Sequence, residues 1–206
     1  GDYYDAFGEN WGPSTNGQPV KVFNSDGVAV PFEAAPDNVR NFFQTGVSTN
    51  NNVSISHADE NGDFRFSGTQ LNRRGIVPNT DLNRNTLQTS MGKKLFNNRL
   101  EFRANAMYVG SSSDNVPNAG YDESSSVMYS FLWLPRNTPI DDLRDYWKPG
   151  QENVQQSYVE ELWGNNPWLI VNENTNSFNA ARLLGDINAT YHINDRTNIR
   201  LRSGQD

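Results

Sequence analysis

Residues that could do chemistry are thinly spread in this chain. Carboxylates cluster at Asp141-Asp142, Asp145 and Glu160-Glu161. Paired carboxylates can serve general acid–base catalysis, but here a helix start and a solvated face account for them. His57 and His192 lie far apart, with no ligand pattern around either, and read as ordinary strand residues. The chain has no cysteine, which excludes disulfide frameworks and thiolate metal sites. Asn24-Ser25-Asp26-Gly27 lacks the alternating ligands and distant Glu of an EF-hand, and reads as a turn. No phosphate-cradling glycine loop and no nucleophile–base arrangement occurs. The expectation is a protein that is not an enzyme and uses no cofactor.

Two other sets of residues invite a functional reading. Trp133, Trp147, Trp163 and Trp168, with Tyr146 and Tyr158, crowd one long segment. Their rings could stack on sugars, bury against a partner, or form the small core that a structured loop of that length needs. Arg65, Glu101, Arg103, Arg182, Asp186, Arg200 and Arg202 form the second set. They recur at every second position of strand-like segments, where they could contact a ligand or pair with one another to satisfy a polar face.

The elements that position these sets follow from periodicity. A period of two argues for strands with unlike faces. One runs over about 51–57, with Val53 and Ile55 opposed to Asn52, Ser54 and Ser56. After the tight turn Asp59-Glu60-Asn61-Gly62, a second over 63–72 sets Phe64 and Phe66 against Arg65, Ser67 and Thr69. A third, 84–95, puts Leu87, Thr89, Met91 and Leu95 on one side. Asn97-Asn98 turns the chain into a fourth, 99–109, where Leu100, Phe102, Ala104, Ala106 and Tyr108 oppose Glu101, Arg103 and Asn105. A fifth, 178–193, sets Leu183, Ile187, Ala189, Tyr191 and Ile193 against Arg182, Asp186, Asn188 and Thr190. After Asn194-Asp195-Arg196, a sixth begins at Thr197, with Ile199 and Leu201 opposed to Arg200 and Arg202. Residues 1–50 read as loop, with one helical turn over 37–44. In the connection 110–176, helices are expected over 139–147 and over 152–163, the latter on the spacing of Val154, Tyr158 and Leu162.

Composition narrows the class. The 206 residues are 35% hydrophobic with a mean hydropathy of −0.76. No stretch approaches the roughly 18 apolar residues of a membrane helix. A β-barrel is not excluded, since its strands are apolar on one side only. The net charge of −7 argues against nucleic acid as a partner. The segment 113–176 holds ten acidic and three basic residues, against fourteen of each elsewhere.

Periodicity alone does not say whether lipid or a protein core meets the apolar face. Tight turns at every second connection, long connections at the others, and modest bulk at Ala104, Ala106, Thr89, Gly185 and Ala189 favour lipid. The expected fold class is therefore an all-β, antiparallel transmembrane barrel of which about six strands are present. Its long extracellular loops would carry short helices. Six strands leave two open edges, which lipid does not tolerate. The chain is therefore expected to be an interior piece of a larger barrel (1–50 an extracellular loop, 110–176 another), with any plug domain outside it.

Specific residues add a resemblance. Phe42-Phe43-Gln44-Thr45-Gly46 followed by 50–56 (NNNVSIS), Pro36-Asp37-Asn38 upstream, the loop 74–81 (RGIVPNTD) with Arg84, and Leu134-Pro135-Arg136 resemble a barrel segment of the SusC/RagA-type TonB-dependent transporters. The resemblance is clearest over 36–109. It implies a large barrel of about 22 strands with a plugged lumen, set in outer-membrane lipid and importing glycan- or peptide-sized nutrients. It also implies a SusD-like surface lipoprotein as cap and the TonB complex as energy source. Two alternatives stand beside this reading. One is a SusC-like structural subunit bound to other subunits of an outer-membrane assembly. The other is a soluble, carbohydrate-binding β-sandwich.

Overall fold

A computed structural model describes residues 12–206 except 24, 123, 124, 160 and 162. Asn24, Glu160 and Leu162, used in the sequence reading, lie outside the described residues. Strands make up 46% of the chain and helices 12%. In chain order, a small hairpin pairs β1 (Pro19–Val20) with β2 (Val30–Pro31), and helix α1 spans Asn38–Phe42. Then come β3 (Val47–Asp59), β4 (Gly62–Arg74), β5 (Asp81–Leu95) and β6 (Leu100–Ser113). Helix α2 (Val127–Trp133), a 3-10 turn (Ile140–Leu143) and helix α3 (Pro167–Asn172) precede β7 (Phe178–Asn194) and β8 (Thr197–Gln205).

The chain divides into two compact units. One, the strand unit, holds Val47–Arg73, Asp81–Ser113 and Phe178–Asp206; the other, the connection unit, holds Gly1–Gly46, Arg74–Thr80 and Asp114–Ser177.

The strand unit is an antiparallel six-stranded sheet in the order β3-β4-β5-β6-β7-β8, not closed on itself. All six predicted strands are present; β3 to β7 run one to four residues past a predicted end, β6 starts one residue later than predicted, and β8 starts at the predicted Thr197. Directly paired residues share a face, so the register fixes the faces. Met91 pairs with Ala104, Ala104 with Ile187 and Ile187 with Ser203. The rows on either side of it are Thr89–Ala106–Gly185 and Lys93–Phe102–Ala189–Leu201, and beyond these lie Leu87–Tyr108–Leu183 and Leu95–Leu100–Tyr191–Ile199. A Cβ at Gly68 would touch the Leu87 side chain, which brings Phe64 and Phe66 to the same face. This apolar face is bare. Val53 is 77% exposed, Leu183 66% and Leu201 71%. Every buried hydrophobic residue among the described ones belongs to the connection unit.

The connection unit has its own core of Phe42, Val127, Phe131, Leu134, Ile140, Leu143, Tyr158, Trp168 and Val171. Its helices differ from the predicted ones for identifiable reasons. The helix expected over 139–147 shrinks to the four-residue 3-10 turn. The Ile140 N–H donates to the Asn38 side chain at 2.7 Å, and the Ile140 carbonyl accepts from Trp168 Nε1 at 2.9 Å. No helix forms among the described residues of the stretch 152–163 where one is expected. Asn153 is left-handed (φ 62°), and the chain folds back instead, bridging Trp147 to Gln156. Val154 is 80% exposed while Tyr158 is 2% exposed, so their spacing marks no common face. Two unexpected helices replace it. Ser126 caps α2 by accepting from the Tyr129 N–H, and Asn166 caps α3, with Pro167 at its first position.

Candidate functional site

The polar set comes together on one face of the sheet. Glu101 pairs with Thr190 and Thr190 with Arg200; Arg103 pairs with Asn188 and Asn188 with Arg202; Asn105 pairs with Asp186, and Val109 with Arg182. Arg65 lies on this face too, because Asp63 on the same strand reaches Arg103. All seven residues singled out from alternation thus project from the same side. Arg84 and Lys94 join them, paired opposite Ser111 and Glu101. Cations outnumber carboxylates there.

Most of the carboxylates are already engaged. Asp63 accepts two bonds from the Arg103 guanidinium, at 2.7 and 3.1 Å, the bidentate geometry that suits arginine. The pair reaches across β5 at Gly92. A Cβ there would lie 2.5 Å from Asp63 Oδ1 and 2.8 Å from Arg103 Nη2, so glycine makes the crossing available. Asp186 accepts from Asn105 Nδ2 at 3.1 Å. Glu101 Oε1 lies 3.7 Å from His192 Nε2, and Arg182 pairs with Asp206. Arg65 donates to Ser54 at 3.4 Å. Arg200 donates through Nε to Thr190 Oγ1 at 3.3 Å. Neither Arg200 nor Arg202 meets a carboxylate among the described residues.

The aromatic set is not brought together as one platform. Trp168 is a core residue, 7% exposed, with its ring 4.8 Å from Phe42 and the Arg144 guanidinium 4.0 Å above it. Trp133 is half-buried near Tyr129, at 6.4 Å, and its indole N–H is buried without an acceptor. Trp147 is half-buried beside Tyr146, at 5.6 Å. Trp163 is 57% exposed. Tyr146 packs against the core and donates its hydroxyl to Glu173 at 3.0 Å. Burial, and then the Glu173 carboxylate, push its phenol above the ordinary value. The residue that organises this unit is Asn166, which the sequence reading missed. Its side chain donates to the Leu143 and Ser157 carbonyls at 2.8 and 2.9 Å and accepts from the Trp168 N–H at 2.8 Å. The signal was legible as Asn followed by Pro at a helix start.

Some of the residues behind the resemblance meet within this unit, whereas 50–56 and Arg84 belong to the strand unit. The Gln44 N–H donates to the Ile76 carbonyl at 2.9 Å and the Gln44 side chain to the Gly75 carbonyl at 2.9 Å. The Ala35 N–H donates to the Arg136 carbonyl at 2.7 Å. Among the described residues no group of three or more His, Cys, Asp or Glu could hold a metal ion. No protein-family model matches the sequence, and no curated protein matches it.

Proposed function

We propose that the six-stranded sheet is an arc of a transmembrane β-barrel wall. The barrel would belong to a TonB-dependent outer-membrane importer of glycan- or peptide-sized nutrients. The observation that carries this reading is the bare apolar face. In a soluble sandwich, Val53, Met91, Ile187 and Leu201 would form the core between two sheets. Here they are 50–77% exposed. Lipid is the partner that such a face fits.

Other features support the same reading. Strands β3 to β7 run 13 to 17 residues, more than the 9–11 or so a tilted transmembrane strand needs. The links β3–β4, β5–β6 and β7–β8 are tight, whereas β4–β5 and β6–β7 are long, as in outer-membrane barrels. In lipid, closure needs further strands to pair with the edges of β3 and β8. The import function rests on the resemblance. With it come a SusD-like lipoprotein at the long-connection rim and energy supplied through the TonB complex.

These 206 residues contain no cysteine, so once any cysteine outside them is replaced by serine a direct test is practical. Single cysteines at positions 87 to 91 of the full-length protein, each carrying an environment-sensitive fluorophore, are compared in lipid vesicles. Positions 87, 89 and 91 should respond to a lipid-borne quencher, and 88 and 90 to an aqueous one. Equal access of the aqueous quencher to all five would overturn the membrane reading.

A further inference from the structure

The polar face holds a cleft at its tight-turn end, with a volume of about 350 Å³. Arg103, Asn188, Thr190 and Arg200 line it, together with the carboxylates Asp59, Asp63 and Glu101. Two groups in it are open to a ligand, the solvent-exposed Arg200 and the half-buried Asn188. Arg200 uses Nε on Thr190, which leaves its two terminal amino groups without a carboxylate among the described residues. Asn188 Oδ1 is buried and accepts no hydrogen bond. A buried acceptor left unpaired costs about 1–3 kcal/mol, and such a group in a folded protein calls for a partner. The carboxylates of the lining are engaged elsewhere: Asp63 is held by Arg103, Glu101 lies 3.7 Å from His192 Nε2, and Asp59 accepts from the Asn61 and Gly62 N–H groups.

The two needs are complementary and close. Thr190 pairs with Arg200 and Asn188 with Arg202, so Arg200 and Asn188 are diagonal neighbours, within roughly 7–8 Å. A free guanidinium edge takes a carboxylate through two parallel bonds. An amide oxygen beside it takes an N–H. A solute with both groups one carbon apart satisfies the cleft in a single step. A sugar does not fit as well. The aromatic residue at the cleft is Phe102, whose pairing with Lys93 and Ala189 sets its side chain on the opposite face of the sheet, so it offers a sugar no stacking ring on this side.

We infer that this cleft binds a carboxylate separated by one carbon from an N–H donor, the chemistry of a free α-amino acid or of a peptide C-terminus. The inference needs only the sheet face and does not depend on lipid at the other face. The test is calorimetric titration of the full-length protein in detergent with L-alanine, N-acetyl-L-alanine, L-alaninamide and propionate. At least one of the first two should bind saturably, and the last two at least about tenfold more weakly, the equivalent of one lost hydrogen bond. Tighter binding of alanine assigns the free amino acid; tighter binding of the acetylated form assigns a chain terminus. Arg200→Lys keeps the charge but loses the fork, and Asn188→Leu removes the acceptor. Each should weaken binding about tenfold, while Lys21→Gln in the connection unit leaves it unchanged. Circular dichroism checks that each variant retains its sheet. Propionate binding as tightly as alanine, no saturable binding at all, or unchanged affinity in both variants would overturn the inference. The cysteine scan reports on the membrane reading separately, so either idea can fail alone.

Discussion

At the scale of single residues, the described interactions concentrate on a few amides rather than on charges. Asn166 is fully buried, and its side chain closes three hydrogen bonds that tie the start of α3 to the Leu143 and Ser157 carbonyls. Asn166→Ala would leave two buried carbonyls and one N–H unpaired. Each such loss costs about 1–3 kcal/mol, so destabilisation by about 3 kcal/mol or more is expected in thermal unfolding. Asn166→Asp is the sharper variant. It keeps the acceptor for the Trp168 N–H but turns both donors into repelled oxygens, so it should be no better than alanine. A loss below about 1 kcal/mol in both would show that Asn166 does not organise the unit. The ion pairs contribute less. Arg103 and Asp63 have side chains 51% and 37% exposed, and pairs so placed are worth about 0.2–1 kcal/mol. Their role is geometric, since the crossing at Gly92 ties three adjacent strands together.

At the scale of elements, what was legible in the sequence depended on covalent geometry, and what was not depended on distant partners. Side chains alternate along a strand whatever surrounds it, so the faces of Arg65, Arg103 and Arg202 could be read directly. The partners could not, because Ser54 meets Arg65 and Asp63 meets Arg103 only through register. Helices were read less well for the same reason. The spacing of Val154 and Tyr158 suggested one, but Pro149-Gly150 and left-handed Asn153 turn the chain instead. Conversely α2 spans only seven residues, too few for an apolar stripe to repeat, and only its Ser126 cap was readable. The β5–β6 turn carries a cost that the pattern hid. Phe96, Asn97 and Asn98 all have positive φ, at 53°, 53° and 67°. Asparagine tolerates that region, whereas an aromatic residue pays roughly 1–2 kcal/mol. Phe96 is 72% exposed and buries little in return. Phe96→Asn should therefore stabilise the protein by about 0.5–1 kcal/mol in denaturant titration, and destabilisation would show that the ring has a partner worth more than the strain.

At the scale of the whole molecule, charge and apolar surface are separated between the units. The connection unit holds sixteen acidic and six basic residues, whereas the strand unit holds eight and eleven. Among the described residues, buried hydrophobics are confined to the connection unit, and exposed ones dominate one face of the sheet. In water such a sheet has little to hold it, because without a second layer it gains none of the burial that stabilises a sandwich. In lipid the same face needs no second layer. The energetics of one buried charge decide between these solvents. Met91 stands in the central row with Ala104 and Ile187, and its neighbour Ser90 faces the polar side opposite Asn105. Arginine at a lipid-facing midplane costs about 2–4 kcal/mol, whereas an exposed aqueous substitution stays within about 0.5 kcal/mol. Met91→Arg should therefore lower the unfolding free energy of the vesicle-bound full-length protein by about 2–4 kcal/mol, while Ser90→Arg changes it by less than about 1. Equal, small effects at the two positions would mean that water, not lipid, meets the Met91 face.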